Sequence, residues 1–193
     1  MNPVEIFAVL FGLIYVYYSI RNSATGFYFA LASCSLWAYA DIIYYNYKFD
    51  AILQGFYVVM ALWGLQSWNR KDKPPLEITH LGIKDNILAI ILGILGMIIS
   101  VYLIRMFTDS DYIWLDSFTT VFSILATFML IYRKIDNWIY FFICNLIYIY
   151  LYYVKQAPFF TLLMIIYSVL SIVGFMQWMK LSRDKWSESA VNI

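Results

Sequence analysis

Charge is what this sequence has least of. Asp, Glu, Lys and Arg make up 13% of its 193 residues, and the net charge is +1. Soluble domains carry about 25%. With no basic surplus to hold a phosphate backbone, nucleic acid is not expected as a partner. Histidine occurs once and cysteine twice. His80 has no second His or Cys nearby to complete a ligand set, which argues against a metal centre. Cys34 and Cys144 both fall inside apolar stretches and read as small packing residues, not as a disulfide. A Gly-rich phosphate loop is missing, as are His–Glu and Ser–His pairs within the apolar stretches. Neither direct use of ATP nor an enzyme is therefore expected, and no cofactor. The first residues, MNPVEIF, put no basic group ahead of the apolar run. A cleaved signal peptide is not expected, and the first span should remain in the mature protein.

What the chain has in excess is apolar surface: 63% of its residues are hydrophobic and 21% are aromatic. That is too much for one water-soluble core and predicts an integral membrane protein. A crossing helix needs about 20 residues. Seven segments qualify, at 3–20, 25–46, 50–68, 86–106, 113–132, 137–154 and 157–179. Charged residues within them are few: Glu5, Asp41, Arg105 and Asp116. Asn22-Ser23, Pro74-Pro75 and Pro158 interrupt the pattern between spans. Period-two alternation is absent and an open sheet cannot cross lipid, so the fold class is all-α.

The basic residues divide unevenly between the two sides. Lys48, Arg105 and Lys155 fall on the side of the N-terminus. Arg21, Arg70, Lys71, Lys73, Lys84, Arg133, Lys134, Lys180, Arg183 and Lys185 fall on the other. The positive-inside rule then places the N-terminus outside and the C-terminus in the cytoplasm. An odd number of spans is required for that bias.

One skeleton is written twice. Tyr57, Gly64 and Trp68 in YVVMALWGLQSW recur 110 positions later as Tyr167, Gly174 and Trp178 in YSVLSIVGFMQW. Tyr and Trp gather at membrane interfaces in unrelated proteins, which is the plainer explanation. Yet each copy closes a triplet of spans. A triplet has odd parity, so its two copies share a direction only if one further span separates them. The expected arrangement is two parallel three-helix bundles plus a linking helix, 3+1+3. Its parts would be a first bundle at 1–68, a cytoplasmic loop at 69–85 and the linking helix at 86–106. A second bundle at 107–179 and a cytoplasmic tail at 180–193 complete it.

Polar residues inside spans are costly in lipid, so their positions carry information. Trp138, Phe141, Asn145, Tyr148 and Tyr152 share one face of the sixth span, with Asn145 near mid-depth. Thr120, Ser123 and Thr127 form a stripe on the fifth span with Asp116 at its head and Thr119 beside it. Asp116 reads as a solvated helix-start carboxylate. Gln54 and Tyr57 lie one turn apart on the third span, and Trp37 and Asp41 on the second. Hydrogen bonding between helices accounts for some of these, at about 0.6 kcal/mol each. A flat aromatic solute, held by ring faces and oriented by a few amides and hydroxyls, accounts for the rest. A non-transporting receptor or scaffold is the rival from another class.

The chain resembles the PnuC family of vitamin transporters. The resemblance runs through FGLIYVYYSIRN (11–22), DAILQGFYVVMALWGLQSW (50–68), LDSFTTVFSILATFMLIYRKIDNW (115–138), NLIYIYLYYVK (145–155) and GFMQW (174–178). It implies a SWEET-like fold in a bacterial inner membrane and import of nicotinamide riboside by facilitated diffusion. A cytoplasmic kinase would trap the vitamin by phosphorylation, and a homotrimer is implied as well. Gln54, Tyr57, Thr120, Trp138 and Asn145 would meet the ligand. Two positions depart from the family pattern: Phe141 and Leu65 stand where tryptophan is common. Thiamine and riboflavin, flat ring systems carried by related proteins, are therefore the rival substrates.

Overall fold

The computed structural model describes residues 2–71, 76–106 and 111–191, with side chains through Asp184. Lys73 and Pro74-Pro75 of the sequence reading lie outside the described residues, and so does the side chain of Lys185. Seven long apolar helices and no strand are present among the described residues. They are α1 (Pro3–Ile20), α2 (Gly26–Ala40), α3 (Lys48–Trp68), α4 (Ile83–Arg105), α5 (Ile113–Ile131), α6 (Asn137–Val154) and α7 (Pro158–Val191). A π-helical turn, Asp41–Tyr45, continues α2. All seven expected spans are found, most with ends within three residues of expectation. The exception is the last helix, which runs on to Val191 through a polar stretch that cannot belong to the apolar span.

The chain divides into two compact units, Met1–Leu76 and Glu77–Ile193. In the first, α2 packs on both α1 and α3. Helix α1 begins on a capping box: Glu5 N–H donates to Asn2 Oδ1 at 2.9 Å, and Asn2 N–H to Glu5 Oε2 at 2.8 Å, with Pro3 at the first helical position. Ser33 Oγ donates to the Ala8 carbonyl at 2.8 Å, tying α2 to α1 where both are buried. Gly64 of α3 admits the ring of Phe27 from α2, and Trp68 meets that ring edge-on at 5.0 Å.

In the second unit, α4 packs on α5, α5 on α6 and α6 on α7. Gly93 and Gly96 let α4 approach α5: a Cβ on Gly93 would stand 2.5 Å from the Phe122 ring. Phe118 stacks on Phe122 at 4.2 Å behind this contact. The outward residues of α4, among them Ile87, Leu88, Ile91, Leu95 and Ile99, are apolar and exposed, as contact with lipid requires. Gly174 of α7 admits the ring of Trp138 from α6, and Trp178 meets that ring edge-on at 5.5 Å.

The two units thus repeat one local geometry. Left-handed residues end α1 and α5 at Asn22 and Arg133, with φ of 54° and 55°. They follow α2 and α6 at Asn46 and Gln156, with φ of 54° and 53°. The hydrogen bonds that build the first turn recur 111 positions on: Ser23 N–H to Tyr18 O and Lys134 N–H to Met129 O, then Gly26 to Ser23 and Asn137 to Lys134. After α2 and α6 the offset falls to 110, so unit 1 holds one extra residue there. The π-helical turn Asp41–Tyr45 lies in that interval, and a π turn is how a helix absorbs a single inserted residue.

Candidate functional site

The polar stripe of α5 and the aromatic face of α6 meet inside unit 2. Asn145 Nδ2 donates to Ser171 Oγ of α7 at 3.3 Å, and Ser171 Oγ donates to the Tyr167 carbonyl at 2.8 Å. The Asn145 carbonyl oxygen has no partner among the described residues, and the side chain is half-buried. One turn on, Tyr148 lies beside Thr119 of α5, and one residue before Asn145, Cys144 lies beside Ser123. Tyr148 stacks on Tyr152 at 5.9 Å, and Tyr152 on Phe160 of α7 at 5.3 Å. The result is a ladder of three rings beginning one turn from the amide. Phe141 is half-buried one turn to the other side.

Other members of the sequence-derived set are placed differently. The Trp138 ring is 3% exposed and wedged between Gly174 and Trp178, and its Nε1 has no hydrogen-bond partner among the described residues. It packs α6 against α7. The hydroxyls of Thr119 and Thr127 donate to carbonyls three or four residues back, at 2.8–3.0 Å, which satisfies them within α5. Thr120 is buried with no hydroxyl partner among the described residues. Asp116 is not simply solvated, as the sequence suggested: its carboxylate lies 3.5 Å from Lys155 Nζ and is 22% exposed. Both cysteines are free.

Unit 1 presents its own three candidates. Trp37 on α2 and Gln54 and Tyr57 on α3 are all half-buried. The Gln54 amide has no hydrogen bond among the described residues, and Tyr57 meets Phe56 edge-on at 5.8 Å. No cluster of three or more His, Cys, Asp or Glu residues suited to a metal occurs among the described residues.

Several groups escaped the sequence reading. The segment before α4 is strapped to the α5–α6 turn: Thr79 N–H donates to the Arg133 carbonyl and Ile135 N–H to the Thr79 carbonyl, at 3.2 and 2.9 Å. Leu81 N–H donates to Asp136 Oδ2 at 2.6 Å, and His80 Nδ1 lies 3.5 Å from the same carboxylate. Burial lowers the pKa of the Arg133 guanidinium beside this strap. The alternation of charge and proline in this loop carried no signal for such pairing.

The family model described as nicotinamide mononucleotide transporter matches residues 2–180. The chain belongs to this family, that of the PnuC transporters. A solved structure, described as the crystal structure of the vitamin B3 transporter PnuC, is similar with a TM-score of 0.76. Identity to it is 22%, over 94% of this chain and 82% of that one. No curated protein matches the chain significantly. As a PnuC-family member the chain is a multi-pass membrane protein of a transporter family, not an enzyme, and its seven apolar helices fit that assignment.

Proposed function

We propose that the protein imports nicotinamide riboside by facilitated diffusion, with a cytoplasmic kinase trapping the vitamin by phosphorylation. The observation that carries this reading is Asn145: a half-buried intramembrane amide with its nitrogen anchored on Ser171 and its carbonyl free. A free acceptor beside a ladder of rings suits a flat cationic ring bearing a carboxamide, which can stack and donate at once. Phe141, Thr120, Ser123, Tyr148 and Tyr152 complete the contacts from unit 2. Trp37, Gln54 and Tyr57 are the proposed contacts of unit 1, and Trp138 supports the site by fixing α6 on α7.

The recurrent turns support a 3+1+3 order, with α4 as the linking helix outside the repeat. The distribution of Lys and Arg supports an outside N-terminus and a cytoplasmic C-terminus in a bacterial inner membrane. A homotrimer is the assembly implied by the resemblance. Phe141 and Leu65 stand where the family commonly has tryptophan, and thiamine, also a flat cationic ring system, is the second reading. Competition on the purified protein among nicotinamide riboside, its mononucleotide, thiamine and riboflavin tests the assignment. Tightest binding of nicotinamide riboside supports it, and preference for thiamine or riboflavin replaces it.

A further inference from the structure

The two units hold their first helix to the end of their second by the same contact, but they balance its charge differently. In unit 2, Asp116 in the first turn of α5 meets Lys155 just past the end of α6. In unit 1, the residue 111 positions earlier is Glu5, in the first turn of α1. The residue 110 positions before Lys155 is Tyr45, whose hydroxyl donates to Glu5 Oε1. One copy of the contact is therefore a neutral ion pair, and the other is a carboxylate bonded to a neutral phenol. Glu5 is 1% exposed, so its charge is not relieved by water.

Unit 1 adds a second carboxyl where unit 2 has none. Asp41 opens the π-helical turn and is 7% exposed. Among the described residues its side chain has no hydrogen-bond donor and no ion pair. The charged groups acting on it are Glu5 from α1 and Asp50 from α3, both acidic, and from its own turn it is coupled to Tyr45. Lys48, in the first turn of α3, is exposed. The matching turn of α6 holds Leu151 and Tyr152. A carboxylate with so little exposure and no partner is costly, and ionisable groups inside membranes generally mark functional sites.

We propose that the Glu5–Tyr45–Asp41 cluster of unit 1 binds one positive charge, taken from solution as a proton or a small monovalent cation, in the place that Lys155 fills permanently in unit 2. The cluster contains none of the residues proposed to meet the substrate, so the inference is independent of which vitamin is carried. Its occupancy neutralises the end of α2 beside the π turn and fastens it to α1.

The test uses the full chain in detergent micelles without vitamin and reads the thermal unfolding midpoint. One arm lowers pH in choline chloride; the other replaces choline with sodium or potassium at fixed pH. Wild type should rise in midpoint in one arm, which identifies the ion. Asp41→Asn should lose most of that rise. Tyr45→Lys, which supplies the fixed charge of unit 2, should lose it too while keeping the folded state. If wild type responds in neither arm, or if Tyr45→Lys responds as wild type does, the proposal is overturned. Should Asp41→Asn fail to fold, Tyr45→Lys alone decides.

Discussion

Trp138 occupies the space where a side chain on Gly174 would stand: a Cβ built there lies 2.6 Å from the indole ring. Phe27 stands in the same relation to Gly64, at 2.2 Å. In each unit, then, the third helix of the triplet carries a notch, and the second residue of the preceding one fills it. The Trp four positions after each glycine closes the contact edge-on.

Replacing Gly174 by Ala must therefore displace the rigid bicycle of Trp138 or part α7 from α6. Overpacking of this kind costs about 1–3 kcal/mol. The Gly174→Ala protein should unfold at a lower temperature in detergent than wild type. An unchanged midpoint would show that the notch is slack.

The strap before α4 depends on Asp136, which accepts from Leu81 N–H, from Asn86 Nδ2 at 3.3 Å and faces His80. Asp136→Ala leaves the Leu81 amide without its acceptor, and losing such a charge-assisted bond costs about 1.5–3 kcal/mol. Hydrogen exchange should quicken across residues 77–86, with the midsections of α5 and α6 unaffected. Equal exchange in both proteins would assign the strap's hold to the Thr79 backbone bonds alone.

Gln156 adopts a left-handed conformation, with φ of 53°, on an exposed turn. Only glycine takes that conformation without cost, and the penalty for other residues is about 1–2 kcal/mol. Gln156→Gly should raise thermal stability by up to about 1 kcal/mol once the added freedom of the unfolded chain is offset. A fall in stability would mean that the side chain contributes a contact there.

The seven spans were legible because lipid leaves the backbone one solution, and apolar length marks it. The repeated skeleton was legible only in part. Gly64 and Gly174 stood out, but the rings that fill them, Phe27 and Trp138, differ in identity and come from another helix. Nothing in the sequence pairs them. The Asp116–Lys155 and Glu5–Tyr45 contacts close across about 40 residues and share no residue type beyond an acid, so pattern could not find them. The π turn is a single inserted residue, visible only when the two units are laid in register. Of the candidate site, periodicity put Asn145, Tyr148 and Tyr152 on one face of α6, and the rings of Tyr148 and Tyr152 stack there. It could not foresee that Ser171 would take the Asn145 amide or that Trp138 would be consumed by packing.

The most direct test is flux. Proteoliposomes holding the purified protein should take up radiolabelled nicotinamide riboside saturably, without ATP or an ion gradient. The Asn145→Leu protein, folded by its unfolding midpoint, should lose at least tenfold of that uptake. Saturable binding with no translocation by wild type, or undiminished uptake by Asn145→Leu, would contradict the account.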